Sequence, residues 1–456
     1  MDDRSRRKQS ANRVPGQLGA LIGVIVFAHF AAAQSYFTAP PATQNPLRVV
    51  GTNGVVPFVL SAQTTRLQSV SRIPMIFGCN VSDVSFAFDN WYLDGTSNGL
   101  LDGAQPITIV KMSLERDTPA SQTPITFASS PGTTLATGAA NVHSDTLTAN
   151  LPKDQLFWIR ISATIPAAGN WQFGPYTNAN FAGAQTYLYP PANNIDQVYA
   201  TGALTQPAQS VATTTGFGPS AILGHCTTPG NPAVINLGAS FSTGLDDFAV
   251  STGGAPCALS NGSTAAGIGM MSRAALNNGA ISGTIPFMKI ALGGTGAANA
   301  LTWTKSFNYF QYGNILFDDM GANDVPGGTA STIYNNNLQV WQNARAAGVQ
   351  RVVVMQMNQR TVSTDNWMTL ANQTPQNGFN TGQVGDQLNT LYQNAPVGTI
   401  DGQFTLHATQ DPTSRWLWLT DGTAYKYTCA GNHPNINSYP LAGAELRSII
   451  QGLSVN

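Results

Sequence analysis

The chain has 456 residues, enough for two or three domains that each bury a core of their own. Only 9% of the residues are charged and the formal net charge is −1, where charged residues usually make up about 25%. A nearly neutral, amide-rich surface has little pull on polyanions, which excludes nucleic acid and anionic membrane as partners held by charge.

Arg4, Arg6, Arg7, Lys8 and Arg13 precede the apolar run "LGALIGVIVFAHF", which closes on "AAAQ". This is the build of a signal peptide over residues 1–33, cleaved after Ala33. The run, broken by His29, is shorter than the roughly 20 residues a spanning helix needs. The expectation is a secreted or periplasmic protein with Gln34 as its amino terminus and no membrane association after cleavage. Cleavage removes five of 21 basic and two of 22 acidic residues, leaving 16 against 20 and a net charge of −4.

Cys79, Cys226, Cys257 and Cys429 all survive cleavage, and an even number in an exported chain predicts two disulfides. Four cysteines allow three pairings. The expected one joins Cys226 to Cys257, which bracket the segment around Ser240, and Cys79 to Cys429. No pair has zinc-site spacing, and His225 beside Cys226 lacks companion ligands. No metal or other cofactor is expected.

Residues 34–70 read as a Pro- and Thr-containing leader. From residue 71 to about 215 the period is two. "DVSFAFDNW" puts Val84, Phe86 and Phe88 on one face; "ITIVKMSL" puts Thr108, Val110, Met112 and Leu114 on one face and Ile107 and Ile109 on the other. "LFWIRISATI" alternates Phe157, Ile159, Ile161 and Ile165 with Trp158, Arg160, Ser162 and Thr164. Half-buried strands between Gly, Pro and Asn clusters predict an antiparallel β-sandwich, jelly-roll-like.

Near residue 232 the pattern changes. "NILF" (314–317) reads as a buried strand, "STIYNNNLQVWQNARAAG" as a helix closed by Gly348, and "RVVVMQM" (351–357) as the next buried strand. This βαβ order predicts an α/β domain with a parallel sheet over residues 216–456. It ends in a helix with Leu446, Ile449, Ile450 and Leu453 at core spacing.

Within that domain "NLGASFSTG" (236–244) follows an apolar run and presents Ser240. A serine in such a turn has on its own no more meaning than any turn residue. Three further stretches give it context: "ALGGTG" (291–296), "MGANDVPGG" (320–328) and "AGNHPN" (430–435). Loops that follow the strands of an open parallel sheet gather at the strands' carboxyl ends, where ligands bind.

The order Gly-x-Ser, Gly, Gly-x-Asn-Asp, His-Pro resembles the SGNH, or GDSL-type, serine hydrolase superfamily over residues 232–456. "RTVSTDNWMTLANQTP" (360–375) and "HSDTLTANLPKDQLFWIRI" (143–161) resemble secreted bacterial members that carry an N-terminal β-sandwich. The resemblance implies a three-layer, flavodoxin-like hydrolase domain. It gives Ser240 the role of nucleophile and His433 that of base. The oxyanion donors would be the amide of Ser240, that of Gly294 (or Gly293, one residue earlier) and the side chain of Asn323, with Asp324 holding its own loop.

The chain departs from the family twice. Ala239 stands where the family has Asp before the nucleophile, and Ala430 stands three residues before the histidine, where the family has its triad Asp. Two substitutes for the lost carboxylate stay open: a backbone carbonyl near Ala430, giving a Ser-His dyad, or Asp421 as orienting acid.

Three functions of different class stay open as well: an exported esterase, a non-catalytic carbohydrate-binding protein of hydrolase fold, and a structural surface protein. For the first, small acyl esters or acylated extracellular polysaccharide are the substrates expected, with Trp91, Tyr92, Trp158, Trp171 or Tyr176 as candidates for sugar stacking against the plainer reading of core packing.

Overall fold

The computed structural model describes residues 46–116, 120–167, 169–175, 183–247 and 269–455. The expected signal peptide and its cleavage site, Tyr176 and Cys257 lie outside these. Among the described residues no helix is long and apolar enough to cross a membrane.

Two larger antiparallel sheets, with two smaller two-stranded ones, make up most of the first half among the described residues. Its principal strands are β1 (Arg48–Val49), β2 (Gly54–Val55), β3 (Gln68–Ile76), β4 (Val81–Phe88), β5 (Ile107–Arg116), β6 (Leu156–Thr164), β7 (Gln185–Tyr189) and β8 (Ala221–Cys226). One sheet runs β1, β8, β4; the other has the central order β5, β6, β3, β7. Val84, Phe86 and Phe88 of β4 share one buried cluster with Ile73 and Met75 of β3 and with Phe157, Ile159 and Ile161 of β6.

β5 departs from simple alternation. Against β6, Lys111 is opposite Ser162 but Ile109 is opposite Ala163, so Val110 is passed over. This bulge resets the pleat. Ile107 and Ile109 therefore join Met112 and Leu114 in one core, and Val110 is exposed.

The second face of β6 is buried at Trp158 and Arg160, where alternation predicts exposure. Arg160 donates from Nε to Glu115 Oε2 (2.6 Å) and from Nη1 to Gln197 O (2.8 Å), while Arg72 donates to both oxygens of Glu115 at 2.9 and 3.0 Å. Buried charges persist only when paired in this way. Trp158 lies under the Arg72 guanidinium, 3.6 Å from ring centroid to Cζ. Trp91 and Trp171 are likewise buried, so these three tryptophans are packing residues rather than a sugar platform.

The second half is built on parallel strands β9 (Val234–Gly238), β10 (Phe287–Ala291), β11 (Ile315–Asp318), β12 (Arg351–Met355) and β13 (Gly402–Phe404), in the spatial order β2, β10, β9, β11, β12, β13. The helices are α1 (Ser240–Thr243), α2 (Gly269–Ala275), α3 (Ala297–Thr302), α4 (Ala330–Ala346), α5 (Val384–Gln393) and α6 (Tyr439–Gly452). Met270, Met271, Leu446 and Ile450 from α2 and α6 cover one face of the sheet. Ile333, Val340, Trp341, Leu388 and Tyr392 from α4 and α5 cover the other. Both faces being dry explains why β9 is buried at all five positions.

The halves are joined more closely than the sequence suggests. β2, from the expected leader, pairs in parallel with β10. β8, expected in the second unit, pairs antiparallel with β4. Val56, Trp91, Leu93 and Leu223 sit in one cluster with Ile235, Trp303 and Tyr309, and the buried Tyr309 hydroxyl donates to Asp89 at 2.6 Å.

The β4–β8 pairing also corrects the disulfide expectation. Cys226 is the register partner of Val81, which brings it beside Cys79; these two are bonded, with Cα atoms 5.7 Å apart. The expected pairs Cys226–Cys257 and Cys79–Cys429 are therefore replaced. Cys429 is disulfide-bonded as well.

Candidate active site

Strand β9 delivers the chain to the carboxyl edge of the parallel sheet, and Ser240 opens the short helix α1 there. α1 closes at once on Gly244, which is left-handed with φ 78°. Asp319, just past the neighbouring β11, holds this turn: its carboxylate accepts from Ala239 N at 2.5 Å and from the Ser242 hydroxyl at 2.8 Å. A side chain at Gly238 would put Cβ 2.2 Å from Asp319 Oδ1, so only glycine fits. Burial, the largest influence on Asp319, pushes its pKa up to about 6.

His433 Nε2 lies 2.8 Å from Ser240 Oγ. Its loop is fixed from several sides. The Thr428 hydroxyl donates to His433 O (2.8 Å), and Gly431 O receives Trp418 Nε1 (2.9 Å) and Thr361 N (3.1 Å). Gly431 has φ +76°, and a Cβ there would meet Thr361 O at 1.9 Å. The Phe241 ring packs edge-on to the imidazole at 5.3 Å.

On the other side of the ring, Asp246 Oδ2 is 3.5 Å from His433 Nδ1. Asp246 is itself left-handed, with φ 69°, a conformation that a non-glycine residue adopts at a cost. Burial, the dominant influence, lowers the His433 pKa below its ordinary value; Asp246 raises it and the nearby Arg360 cation lowers it. The net direction keeps the imidazole neutral and able to accept a proton.

Asp421, the acid considered from the sequence, is elsewhere. It accepts from Thr423 N at 2.9 Å and lies 3.7 Å from Lys426 Nζ, half-exposed. Its position is set by its own turn and not by His433. The carboxylate that faces Nδ1 comes from the nucleophile's loop, in "STGLDDFA". Its only sequence signal is nearness to Ser240, six residues before it.

The two remaining loops are laced together. Asn323 Nδ2 donates to Thr295 O (2.9 Å), and Asp324 accepts from Ala297 N (2.7 Å). Asp324 thus ties "GAND" to "ALGGTG" as well as serving its own loop. Gly293 and Gly294 are exposed at that edge, Gly294 with φ +84°. Arg360, the first residue of "RTVSTDNWMTLANQTP" and given no role by that resemblance, donates from Nη2 to Asn323 Oδ1 at 3.3 Å. Among the described residues no cluster of His, Cys, Asp or Glu could hold a metal ion.

No family model and no curated protein matches the chain. Solved structures to which it is similar include a family two carbohydrate esterase from Clostridium thermocellum in complex with cellohexaose, at 10% identity over 89% of this chain and 98% of that one, with a TM-score of 0.33. Others are a psychrotrophic esterase from Pseudoalteromonas inhibited by monoethylphosphonate (12% identity, 48% and 96% covered, TM-score 0.30) and a GDSL-like lipase from Bacteroides thetaiotaomicron (12%, 48% and 87%, TM-score 0.29). These and other similar structures are acylhydrolases, lipases and esterases, GDSL-like lipases among them.

Proposed function

We propose that this chain is an exported serine esterase of the SGNH type that hydrolyses acetyl or short-chain acyl esters with Ser240, His433 and Asp246. The observation that carries the reading is the contact of Ser240 Oγ with His433 Nε2 at 2.8 Å, with Asp246 Oδ2 3.5 Å from Nδ1. A nucleophile, a base and a group orienting the base is the arrangement that acyl transfer requires, and such contacts tighten when substrate binds.

Ser240 Oγ attacks the ester carbonyl while its proton passes to His433 Nε2. The carbonyl oxygen becomes an oxyanion, received by the amide of Ser240 at the start of α1, by that of Gly294 and by Asn323 Nδ2; each such donor is worth roughly 3 kcal/mol. The C–O bond to the alcohol then breaks, and His433 returns the proton to the leaving oxygen. Water, deprotonated by the same imidazole, releases the acid and restores Ser240. Asp246 stabilises the imidazolium and holds Nδ1 as the protonated nitrogen.

The two antiparallel sheets with a common core support reading the first half as a β-sandwich, and helices on both faces of the parallel sheet support a three-layer hydrolase fold. The proposed substrate class is acylated extracellular carbohydrate, a reading that rests on the expectation of export from the sequence of residues 1–33.

A fluorophosphonate probe tests the chemistry. The expected result is covalent labelling at Ser240 together with turnover of p-nitrophenyl acetate; absence of both overturns the proposal and favours a binding protein of the same fold.

A further inference from the structure

Arg360 follows β12 and is only 7% exposed. Its Nε is buried without a hydrogen-bond partner, and its guanidinium sits 5.0 Å from the Phe379 ring centroid. None of the ion pairs among the described residues involves it. A buried cation without a carboxylate is costly. Its backbone is nonetheless anchored at this place: Gln376 N donates to Arg360 O at 2.8 Å, and the next residue, Thr361, donates to Gly431 O at 3.1 Å, beside the histidine loop.

The side chain points at one acceptor, Asn323 Oδ1, at 3.3 Å. A guanidinium can only donate, so the amide must turn its oxygen toward Arg360. On its other side Asn323 Nδ2 meets Thr295 O at 2.9 Å, and a carbonyl can only accept. These two one-way partners fix the orientation of the carboxamide. A flip would set NH2 against the guanidinium and oxygen against oxygen. One amide proton is spent on Thr295, and the other remains for a ligand. A charged donor on Oδ1 also polarises the amide and strengthens its N–H as a donor.

We infer that Arg360 is a positioning residue for ester hydrolysis, holding the Asn323 carboxamide so that its free N–H meets the developing oxyanion; this rests on the esterase reading above. Arg360 touches neither the ester nor Ser240 in this role. It acts through Asn323, and its effect disappears when that side chain is absent.

The test is a double-mutant cycle with p-nitrophenyl acetate, with kcat expressed per Ser240 site counted by fluorophosphonate labelling, so that unfolded protein does not enter the rate. Arg360→Met should lower kcat about 10- to 100-fold with KM unchanged, and Arg360→Lys should recover part of the loss. In an Asn323→Ala background, Arg360→Met should cost less than about twofold more. Arg360→Gln serves the same cycle should Arg360→Met fail to fold.

Unchanged kcat in Arg360→Met overturns the inference. So does a rise in KM alone, which would mean that Arg360 grips the substrate itself, or a full additional loss on top of Asn323→Ala. If the unsubstituted protein is neither labelled nor active, the esterase reading falls first, before any variant is compared.

Discussion

Asp246 lies six residues beyond Ser240 and turns back across the left-handed φ of 69° to set its carboxylate 3.5 Å from His433 Nδ1. Ser240 and Asp246 therefore hang from one loop, and His433 arrives from the far end of the chain. Asp246→Asn keeps the shape and removes the charge. It should lower kcat on p-nitrophenyl acetate by about 10⁴-fold, whereas Asp421→Ala, on its own exposed turn, should leave kcat within about twofold. Equal effects of the two substitutions would remove Asp246 from its role.

The pH profile follows from the surroundings of His433. Burial depresses its pKa below the ordinary 6.5, and only the neutral form accepts a proton from Ser240. Activity should thus persist as pH falls past 6.5 and be lost only as pH drops through the lower, folded-state pKa. Asp246 raises that pKa and Arg360 lowers it. In kcat/KM profiles, Asp246→Asn should move the acid limb to lower pH and Arg360→Met should move it to higher pH. Shifts in the same direction would contradict the placement of these charges.

Ser240→Ala should abolish turnover, since Ser240 Oγ is the hydroxyl that faces His433 Nε2, at 2.8 Å. Asn323→Ala should lower kcat by about 10² to 10³ with little change in KM, because its donor acts on charge that exists only in the transition state. Steady-state kinetics separate these outcomes from a simple loss of binding, which would raise KM alone.

Peptide mapping without reduction should recover Cys79 joined to Cys226. Replacing both by serine should lower stability in urea unfolding by about 2–5 kcal/mol, as expected for a cross-link that closes a long loop. Recovery of a Cys226–Cys257 peptide would reverse the assignment.

Much of the α/β half is legible in the sequence, because strands buried on both faces read as unbroken apolar runs; "AVIN" at 233–236 and "RVVV" at 351–354 are of this kind. Ser240 and His433 are legible as residues, their 2.8 Å contact only through the order of loops along the sheet. What local pattern hides is whatever depends on a distant partner. The bulge at Val110 reverses the face of Ile107 and Ile109 with no mark in the composition. Asp246 and Asp319 reach their partners across chain reversals, and Arg360 gains meaning only beside Asn323. Cys79 and Cys226 are neighbours because β4 and β8 pair, bringing together residues at a sequence separation of 147.

The parallel pairing of β2 with β10 sets Gly54 opposite Met288, and this has a consequence for assembly during synthesis. The early strand cannot reach its place until the later one has left the ribosome, a wait on the order of tens of seconds at roughly 5–20 residues per second. Contacts so distant in sequence are slow to close. Once β10 is made and until β2 pairs with it, that edge of β10 is an open template for any other strand. A chain beginning at residue 232 would keep that edge open permanently and should self-associate, even with every residue of the proposed catalytic site present.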